Sequence, residues 1–289
     1  MLISIVIPTY NRFSVTCRSV DSCLKQTYPH IEVIVCDDMS DDGSYEKLSD
    51  QYKSEPRVTI IQNTGTKGAN SARQCGVDHA SGDAIAFLDS DDYLPPESIK
   101  DRVNVLIDVP ECVLVYGDSK TGDRINRYDD ISAFKRNRYL MRELSLCEYG
   151  TMMVRRKVFT DAGLTIDPLL KAWQDDDMIL SVNRLFPDKD QAILHCNKVV
   201  LIHNRSEISI TGSHHNLYDG LSRILQKYEQ DIVKECGKGR LMLWKLRLKY
   251  RKLWIICTES NNPMIRAFAG ILRRALYIIC RIGFKHMWG

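Results

Sequence analysis

Three aspartates stand directly after an apolar run in the stretch AIAFLDSDDYL, which covers residues 84–94. Asp89 and Asp91 are two residues apart, and Asp92 follows at once. Carboxylates this close raise each other's pKa unless a cation neutralises them. Their hard oxygens suit Mg²⁺ or Mn²⁺, ions that commonly complete their shells with phosphate oxygens. The alternative is a solvated acidic turn, because aspartates are common in turns.

Two other acidic groups stand at the ends of predicted elements. Asp37 and Asp38 end the run IEVIVCDD, and a carboxylate at a strand end can accept a hydrogen bond from a base or from ribose. The turn-forming residues after them equally suit a turn with a helix cap. Asp175, Asp176 and Asp177 open a predicted helix, where the helix dipole alone favours negative charge. An ionised aspartate there can also act as a general base.

Strand-like and helical stretches alternate through the first hundred residues and must position these acids. Apolar runs predict strands at 2–8, 31–38, 57–63 and 84–89, and helical stretches are predicted at 13–26, 43–54 and 69–81. This alternation predicts βαβ units and a mostly parallel sheet covered by helices. Ligands bind outside the carboxyl ends of such strands, so the residues after the first, second and fourth strands are expected at one edge.

The alternation loosens after about residue 100. The sequence predicts a strand at 112–118, a strand leading into a helix at 149–163, and a helix at 175–186. Residues 119–148 are polar and basic and are interpreted as an excursion over a site. A boundary between residues 210 and 235 is expected before the C-terminal part.

The formal net charge of +3 conceals two parts of opposite sign. Residues 236–289 hold twelve lysines and arginines against one acidic residue, Glu259, so the rest of the chain is acidic. On a helix drawn through 264–286 the cations share one side, and residues 241–254 mix cations with Trp and Leu. Such helices lie in the interface of anionic bilayers, which predicts membrane contact through residues 240–288. The alternative is a helical pair that packs on the body and leaves a solvated basic face.

Composition and motifs argue against several classes of protein. Ten cysteines without a C-x-x-C pair indicate reduced thiols of a cytosolic protein, not a disulfide scaffold or a zinc site. The first apolar run reaches Pro8 too early for a signal peptide, and no run of about 18 uncharged apolar residues predicts a transmembrane helix. The first strand is not followed by G-x-G-x-x-G, as a dinucleotide oxidoreductase would require. No nucleic-acid-binding motif occurs, so no nucleic acid is expected as a partner.

The segments SIVIPTYNR, KQTYPHIEVIVCDDMSDDGS and GANSARQCGVDHASGDAIAFLDSDDYLPP resemble, in order and spacing, the family 2 glycosyltransferases of bacterial surface-polysaccharide synthesis. The resemblance is close over residues 2–100 and looser to about 205. It implies the GT-A fold and an inverting, metal-dependent transfer from a nucleotide sugar. The implied domains are a GT-A domain at 1–210, with a nucleotide-sugar half at 1–118 and an acceptor half at 119–210, and a basic amphipathic helical region at 211–289.

The resemblance also implies which residues hold the donor. Tyr10 stacks on the base, Asp38 accepts a hydrogen bond from it, and Asp89 contacts the ribose or the sugar. Lys67 and Arg73 lie near the diphosphate or the sugar, although Gln74 follows Arg73 where the family usually has Asn. The complete implied donor set is Pro8, Thr9, Tyr10, Asp37, Asp38, Lys67, Arg73, Asp89 and Ser90.

The same resemblance implies a metal site and a base. Asp91 is the metal ligand with Asp89 beside it, and His203 lies where some relatives place a histidine near the metal, although a structural histidine is the alternative. Asp175 matches the base aspartate. Asp176 remains a rival, because the usual spacing to a helical arginine is not reproduced and Arg184 lies further along.

The function implied is transfer of a sugar, expected from a UDP-sugar, to a hydroxyl of a glycan acceptor that is expected to be lipid-linked. Mn²⁺ or Mg²⁺ is the implied cofactor. The expected location is cytoplasmic, at the inner face of the cell membrane. A degenerate nucleotide-sugar-binding module and a sugar nucleotidyltransferase remain alternatives, but a Gly-rich phosphate-binding loop after the first strand is missing for the latter.

Overall fold

The structure, a computed structural model, describes residues 1–128, 147–187, 191–204 and 214–259, together with Asn262 and Met264. The chain divides into two compact units, Met1–Ile208 and Ser209–Gly289.

The first unit is built on one mixed sheet. Its strands are β1 Ile3–Thr9, β2 Ile31–Asp37, β3 Val58–Gln62, β4 Ala84–Phe87, β5 Leu114–Thr121, β6 Arg124–Asn126, β7 Met153–Arg155 and β8 Ile193–His203. Their order is β3-β2-β1-β4-β7-β5-β6, and β8 pairs with β5. Strands β1 to β4 are mutually parallel, as is the β5–β8 pair, whereas β7 and β6 run antiparallel to their neighbours.

Helices cover this sheet. They are α1 Phe13–Leu24, α2 Ser44–Tyr52, α3 Ala69–His79, α4 Ser98–Asp108, a 3₁₀ turn at Tyr149–Thr151, α5 Lys157–Thr160 and α6 Gln174–Leu185. The four strands and three helices predicted within the first ninety residues are all present, with ends displaced by at most two residues. Every residue of β1 is buried, and the apolar Ile3, Ile5, Val6 and Ile7 suit a strand covered on both faces.

The second half of this unit departs more from the sequence pattern. Helix α4 and strands β6 and β8 were not predicted, and β5 extends to Thr121 where an excursion was expected to begin. β8 mixes exposed and buried positions, and it forms by pairing with β5 through an irregular register near Asp118. A strand that depends on a distant partner carries little pattern of its own. Most of the predicted excursion, residues 129–146, lies outside the described residues.

Helix α3 packs closely on strand β1, and both elements carry residues of the predicted site. A Cβ built on Gly76 would lie 2.4 Å from Cγ1 of Val6, so only glycine allows this approach. Strand β1 ends at Thr9, and α3 carries Arg73. The position of Arg73 therefore depends on the absence of a side chain at Gly76, which lets α3 approach β1.

Buried Arg102 fixes the 3₁₀ turn to α4. Its side chain is fully buried, and Nη1 donates to the backbone carbonyls of Thr151 and Met152 at 3.3 and 3.0 Å. Nε and Nη2 donate to the carbonyl and hydroxyl oxygens of Ser98. These bonds satisfy a buried cation with backbone dipoles and hold the segment that starts at Tyr149.

The second unit contains α7 His214–Lys227 and α8 Glu229–Glu259. Helix α8 is interrupted at Gly237, whose φ of 79° is not helical. Within the described ranges, no helix has both the length and the apolar character needed to span a bilayer. The predicted helix at 264–286 lies outside the described residues, apart from Met264.

The packing of Gly76 predicts a non-additive effect on stability. Gly76→Ala should lower the free energy of unfolding by ~1–3 kcal/mol, because the added methyl overlaps Val6. Val6→Ala removes the overlapping atom, so the double variant should be more stable than the sum of the two losses predicts. Urea unfolding measures all three. Gly239→Ala, at a helical glycine with open space around its Cβ, is the control and should not destabilise. Additive losses would contradict the contact.

Candidate functional site

The ends of β1, β2 and β4 lie side by side at one edge of the sheet. Thr9 and Asp37 are register partners, and the pairing of β1 with β4 brings Val6 beside Phe87. Beyond the strands the contact continues, because the N–H of Asp38 donates to the carbonyl of Thr9 at 2.7 Å. The segments predicted to share an edge are therefore neighbours in the structure.

Asp37 and Ser40 build the turn after β2. The Asp37 carboxylate accepts from the Ser40 N–H at 2.8 Å and from its hydroxyl at 2.5 Å, and the side chain is buried. The Ser40 hydroxyl in turn accepts from the N–H of Asn11 at 2.8 Å. Between them Met39 has a φ of 61°, a strained conformation for a residue with a long side chain. Asp37 thus shapes the turn in which Asp38 is presented.

Asp38 is buried and organises the loop before α3. Its carboxylate accepts from Nδ2 of Asn63 at 2.7 Å and from the N–H of Gly68 at 2.8 Å. Its contact with a nucleotide base stays a prediction, and the carboxylate would make that contact in addition to these bonds or in exchange for one of them.

Tyr10 presents an exposed aromatic surface beside this loop. Its side chain is 37% exposed, and Lys67 Nζ lies 3.8 Å from the ring centroid. A hydrogen bond with Tyr10 raises the pKa of Lys67. An aromatic ring with an exposed cation above it suits a planar base next to a phosphate. Pro8 and Thr9 are buried behind it, and the Thr9 hydroxyl lies 2.7 Å from that of Thr16.

The turn after β4 is fixed by α1. The Ser19 hydroxyl lies 2.8 Å from the carbonyl oxygen of Ser90 and 2.6 Å from that of Asp92. Ser90 itself is buried, so it acts as a spacer between two more exposed carboxylates. Their side chains are 43% exposed for Asp89 and 29% for Asp91.

Each of these two carboxylates faces an arginine. Arg12 Nη1 donates to Asp91 Oδ2 at 2.9 Å, and Arg73 Nη2 donates to Asp89 Oδ1 at 2.6 Å. Within the described ranges, no three His, Cys, Asp or Glu side chains are grouped to hold a metal ion. Mg²⁺ commonly binds through one or two carboxylates plus substrate phosphates and water. Asp89 and Asp91, neighbouring and accessible, fit that kind of site.

His203 is held between two acids on the far side of the same turn. Its Nδ1 lies 2.9 Å from Asp92 Oδ2, and its Nε2 lies 2.7 Å from Glu148 Oε2. The hydrogen bond with Asp92, followed by that with Glu148, raises the pKa of His203 to about 10. Burial raises the pKa of Asp92. Metal ligation by His203 stays a prediction, and it would require one of these bonds to be released.

The acids at the start of α6 differ in access. Asp175 is partly exposed, whereas Asp176 and Asp177 are 3% and 4% exposed. The N–H of Tyr149 donates to Asp175 Oδ1 at 2.8 Å, which holds the carboxylate in one orientation. Burial, which outweighs the charge of Arg73, raises the pKa of Asp175 to about 7. A base needs access and a pKa near the working pH, and Asp175 has both.

Arg73 connects the acids after β4 with α6. Besides Asp89, its guanidinium donates to Oε1 of Gln174, the residue before Asp175, at 2.9 Å. It is 5% exposed, so nearly all of its surface is covered by protein groups.

Four residues of this cluster were not predicted from the sequence: Arg12, Glu148, Tyr149 and Gln174. Arg12 ends the motif PTYNR and Gln174 precedes the acidic triplet, so their positions were visible although their roles were not. Nothing in the sequence around Glu148 and Tyr149 indicated a role in the site.

The match to a protein-family model covers residues 4–163, and the model is described as Glycosyl transferase family 2. The chain is 40% identical over 105 residues to the Escherichia coli UDP-Glc:alpha-D-GlcNAc-diphosphoundecaprenol beta-1,3-glucosyltransferase WfaP, which covers 36% of this chain and 41% of the relative. It is 27% identical over 253 residues to Escherichia coli chondroitin synthase, which covers 84% of this chain and 36% of the relative. The matches thus span about two fifths of the length of these curated relatives.

Two solved structures share the fold. S. aureus TarS 1-349 in complex with UDP-GlcNAc has a TM-score of 0.63 at 17% identity, over 99% of this chain and 92% of that chain. The mannosyltransferase PcManGT from Pyrobaculum calidifontis, in complex with GDP-Man and Mn²⁺, has a TM-score of 0.58 at 17% identity, over 97% and 82%. These similarities confirm the predicted GT-A fold.

Proposed function

Because this chain belongs to glycosyl transferase family 2, as its sequence motifs predicted, we propose that it transfers a sugar from a nucleoside-diphosphate sugar to a hydroxyl of a glycan acceptor in bacterial polysaccharide synthesis. The observation that carries the proposal is the placement of Tyr10, Asp89 and Asp91 after neighbouring strands at one sheet edge. Arg73 bonds both to Asp89 and to Gln174, the residue before the partly exposed Asp175.

The proposed donor is a UDP-sugar. Tyr10 offers its exposed ring to the base, Asp38 lies beside it, and Lys67 provides a cation for the diphosphate. Support comes from the relative named for UDP-Glc and from the similar structure that contains UDP-GlcNAc.

We propose that Asp91, with Asp89 beside it, holds a divalent ion, Mn²⁺ or Mg²⁺. Such an ion neutralises the charge that develops on a diphosphate leaving group. To bind this ion, Asp91 would release its ion pair with Arg12. The partial exposure of both side chains permits that exchange. A similar structure contains Mn²⁺ with its nucleotide sugar, which supports the choice of a hard cation.

Asp175 is the proposed general base. Its ionised carboxylate accepts the proton of the acceptor hydroxyl, and the resulting oxygen attacks the anomeric carbon opposite the diphosphate, which inverts the configuration. Asp176, nearly fully buried, is the less accessible candidate. We propose a lipid-linked glycan as the acceptor, in line with the diphosphoundecaprenol in the name of one relative.

The second unit offers a surface for an anionic membrane at the cytoplasmic face. Met242, Leu246, Leu253 and Ile256 of α8 are exposed, and their spacing places them in a stripe about 80° wide. The exposed lysines Lys245, Lys249 and Lys252 lie within or beside this stripe. Apolar side chains flanked by cations are typical of helices that lie in the interface of anionic bilayers.

The choice of base is tested by two substitutions. Asp175→Asn should lower kcat by ~10²–10⁴-fold, because the amide cannot accept the hydroxyl proton. Asp176→Asn should retain more turnover. Release of nucleoside diphosphate is measured with a panel of UDP-sugars and Mn²⁺, with and without membrane lipid extract. Circular dichroism confirms folding of both variants. Near-normal turnover by Asp175→Asn would reject Asp175 as the base.

Metal removal tests the carboxylate pair. EDTA should abolish transfer, and added Mn²⁺ or Mg²⁺ should restore it in the unmodified protein. Asp91→Asn should bind Mn²⁺ weakly in an electron paramagnetic resonance titration and should stay inactive at ion concentrations that restore the original chain. Asp123→Asn, at an exposed acid between β5 and β6, is the matched control and should behave like the original. Full activity in EDTA would refute a metal role.

Vesicle flotation tests the membrane surface. The full chain should float with vesicles containing phosphatidylglycerol and remain behind with pure phosphatidylcholine. Replacing Lys245, Lys249 and Lys252 together by Gln should lower binding by ~10²-fold, at about 1 kcal/mol per cation. Ile256→Glu should also weaken binding, whereas Ile107→Glu, at an exposed isoleucine of α4, should not. Equal flotation of all variants would exclude this face.

A further inference from the structure

Arg73 connects the turn after β4, where the donor is proposed to bind, with the start of α6, which carries the proposed general base Asp175. Nη2 donates to Asp89 Oδ1 at 2.6 Å, and Nη1 donates to Gln174 Oε1 at 2.9 Å. A further bond from Nη1 reaches Asn70 Oδ1 at 3.0 Å, which ties the guanidinium to its own helix. Arg73 thus has a fixed orientation between the turn after β4 and the residue that precedes Asp175.

The burial of Arg73 indicates that it acts on protein groups. It is 5% exposed, and its guanidinium carbon lies 4.5 Å from the centroid of the Tyr149 ring. Nε is buried and has no hydrogen-bond partner among the described residues. A buried donor without a partner costs stability, so the burial of this guanidinium calls for an explanation. A fixed positive charge beside an acidic cluster supplies one.

Asp175 is the group on which this charge has its clearest effect. Burial raises the pKa of Asp175, and among the opposing influences that of Arg73 is the largest, ahead of the N–H of Tyr149. Tyr149 contacts both Arg73 and Asp175: its ring lies against the guanidinium of Arg73, and its N–H donates to Asp175. The titratable and charged groups around Asp175 are Arg73 on α3, Asp89 after β4, Cys147, Glu148 and Tyr149 at the 3₁₀ turn, and Asp176 and Asp177 on its own helix.

Building on the proposed function, we propose that Arg73 is a positioning residue that keeps Asp175 ionised and oriented for proton abstraction and that it does not bind the donor diphosphate. Loss of a nearby positive charge disfavours the ionised form of an acid, so removal of Arg73 must raise the pH at which Asp175 becomes active. Lys67, exposed above Tyr10, is left as the cation for the diphosphate.

The pH profile of kcat/KM tests this role. In the original chain the acid limb should fall near pH 7, where Asp175 loses its proton. Arg73→Gln should move that limb up by ~1 unit, so that the loss of kcat/KM is ~10-fold greater at pH 6 than at pH 9. Arg73→Lys, which keeps the charge, should restore most of the original limb. Lys67→Gln is the contrasting control and should raise the KM for the donor without moving the limb.

The outcomes separate the two levels of the proposal. If the original chain transfers sugar from no donor in the panel, the proposed function fails. If it transfers sugar but Arg73→Gln loses the same factor at every pH, or only raises the KM for the donor, the positioning role is overturned.

Unfolding measurements give a readout that does not need turnover. An acid with a raised pKa in the folded state loses stabilisation as the pH rises from its unfolded value through the folded one. Arg73→Gln should therefore be destabilised more at pH 9 than at pH 5, relative to the original chain. Adding Asp175→Asn to Arg73→Gln should remove that extra loss. Persistence of the loss in the double variant would assign it to another group and overturn the inference.

Discussion

Repulsion among carboxylates gathered at one sheet edge is the constraint on which the rest of the site depends. Parallel pairing of β1 with both β2 and β4 brings the acids after two strands to one edge. Uncharged donors satisfy Asp37 and Asp38, whose bonds build the turns around them. Asp89 and Asp91 instead face arginines. The first pair therefore serves mainly to fix the backbone, and the negative charge of the second pair is balanced by cationic side chains.

The segment that contacts the proposed general base, Asp175, depends on a second buried cation. Arg102 lies entirely inside the protein, and burial lowers its pKa to about 10, which still leaves it charged at neutral pH. Its bonds to the carbonyls of Thr151 and Met152 fix the segment whose first residue, Tyr149, donates to Asp175. The orientation of the proposed base thus depends in part on a residue of α4, which acts through the 3₁₀ turn.

Sequence pattern predicted the half of the fold in which apolar strands and helices alternate at short intervals. It failed where structure depends on distant pairing, as in β8, or on bonds between segments far apart in sequence, as at Glu148 and His203. The acids of the site were found because charge after an apolar run is conspicuous. Their arginine partners were harder to assign, because a single Arg12 or Arg73 in a motif does not reveal which carboxylate it will meet in space.

The two arginines divide the carboxylate pair into a fixed and an exchangeable member. The Arg73 side chain is 6% exposed, whereas that of Arg12 is 24% exposed. Moving Arg73 would break its bonds to Asn70 and Gln174, so Asp89 keeps its partner. The Arg12–Asp91 pair is more exposed than Arg73, and a partly exposed ion pair is exchanged at lower cost than a buried one. One carboxylate is therefore held in place and the other is more easily released, which supports the proposal that Asp91 is the principal metal ligand and that Asp89 stands beside it.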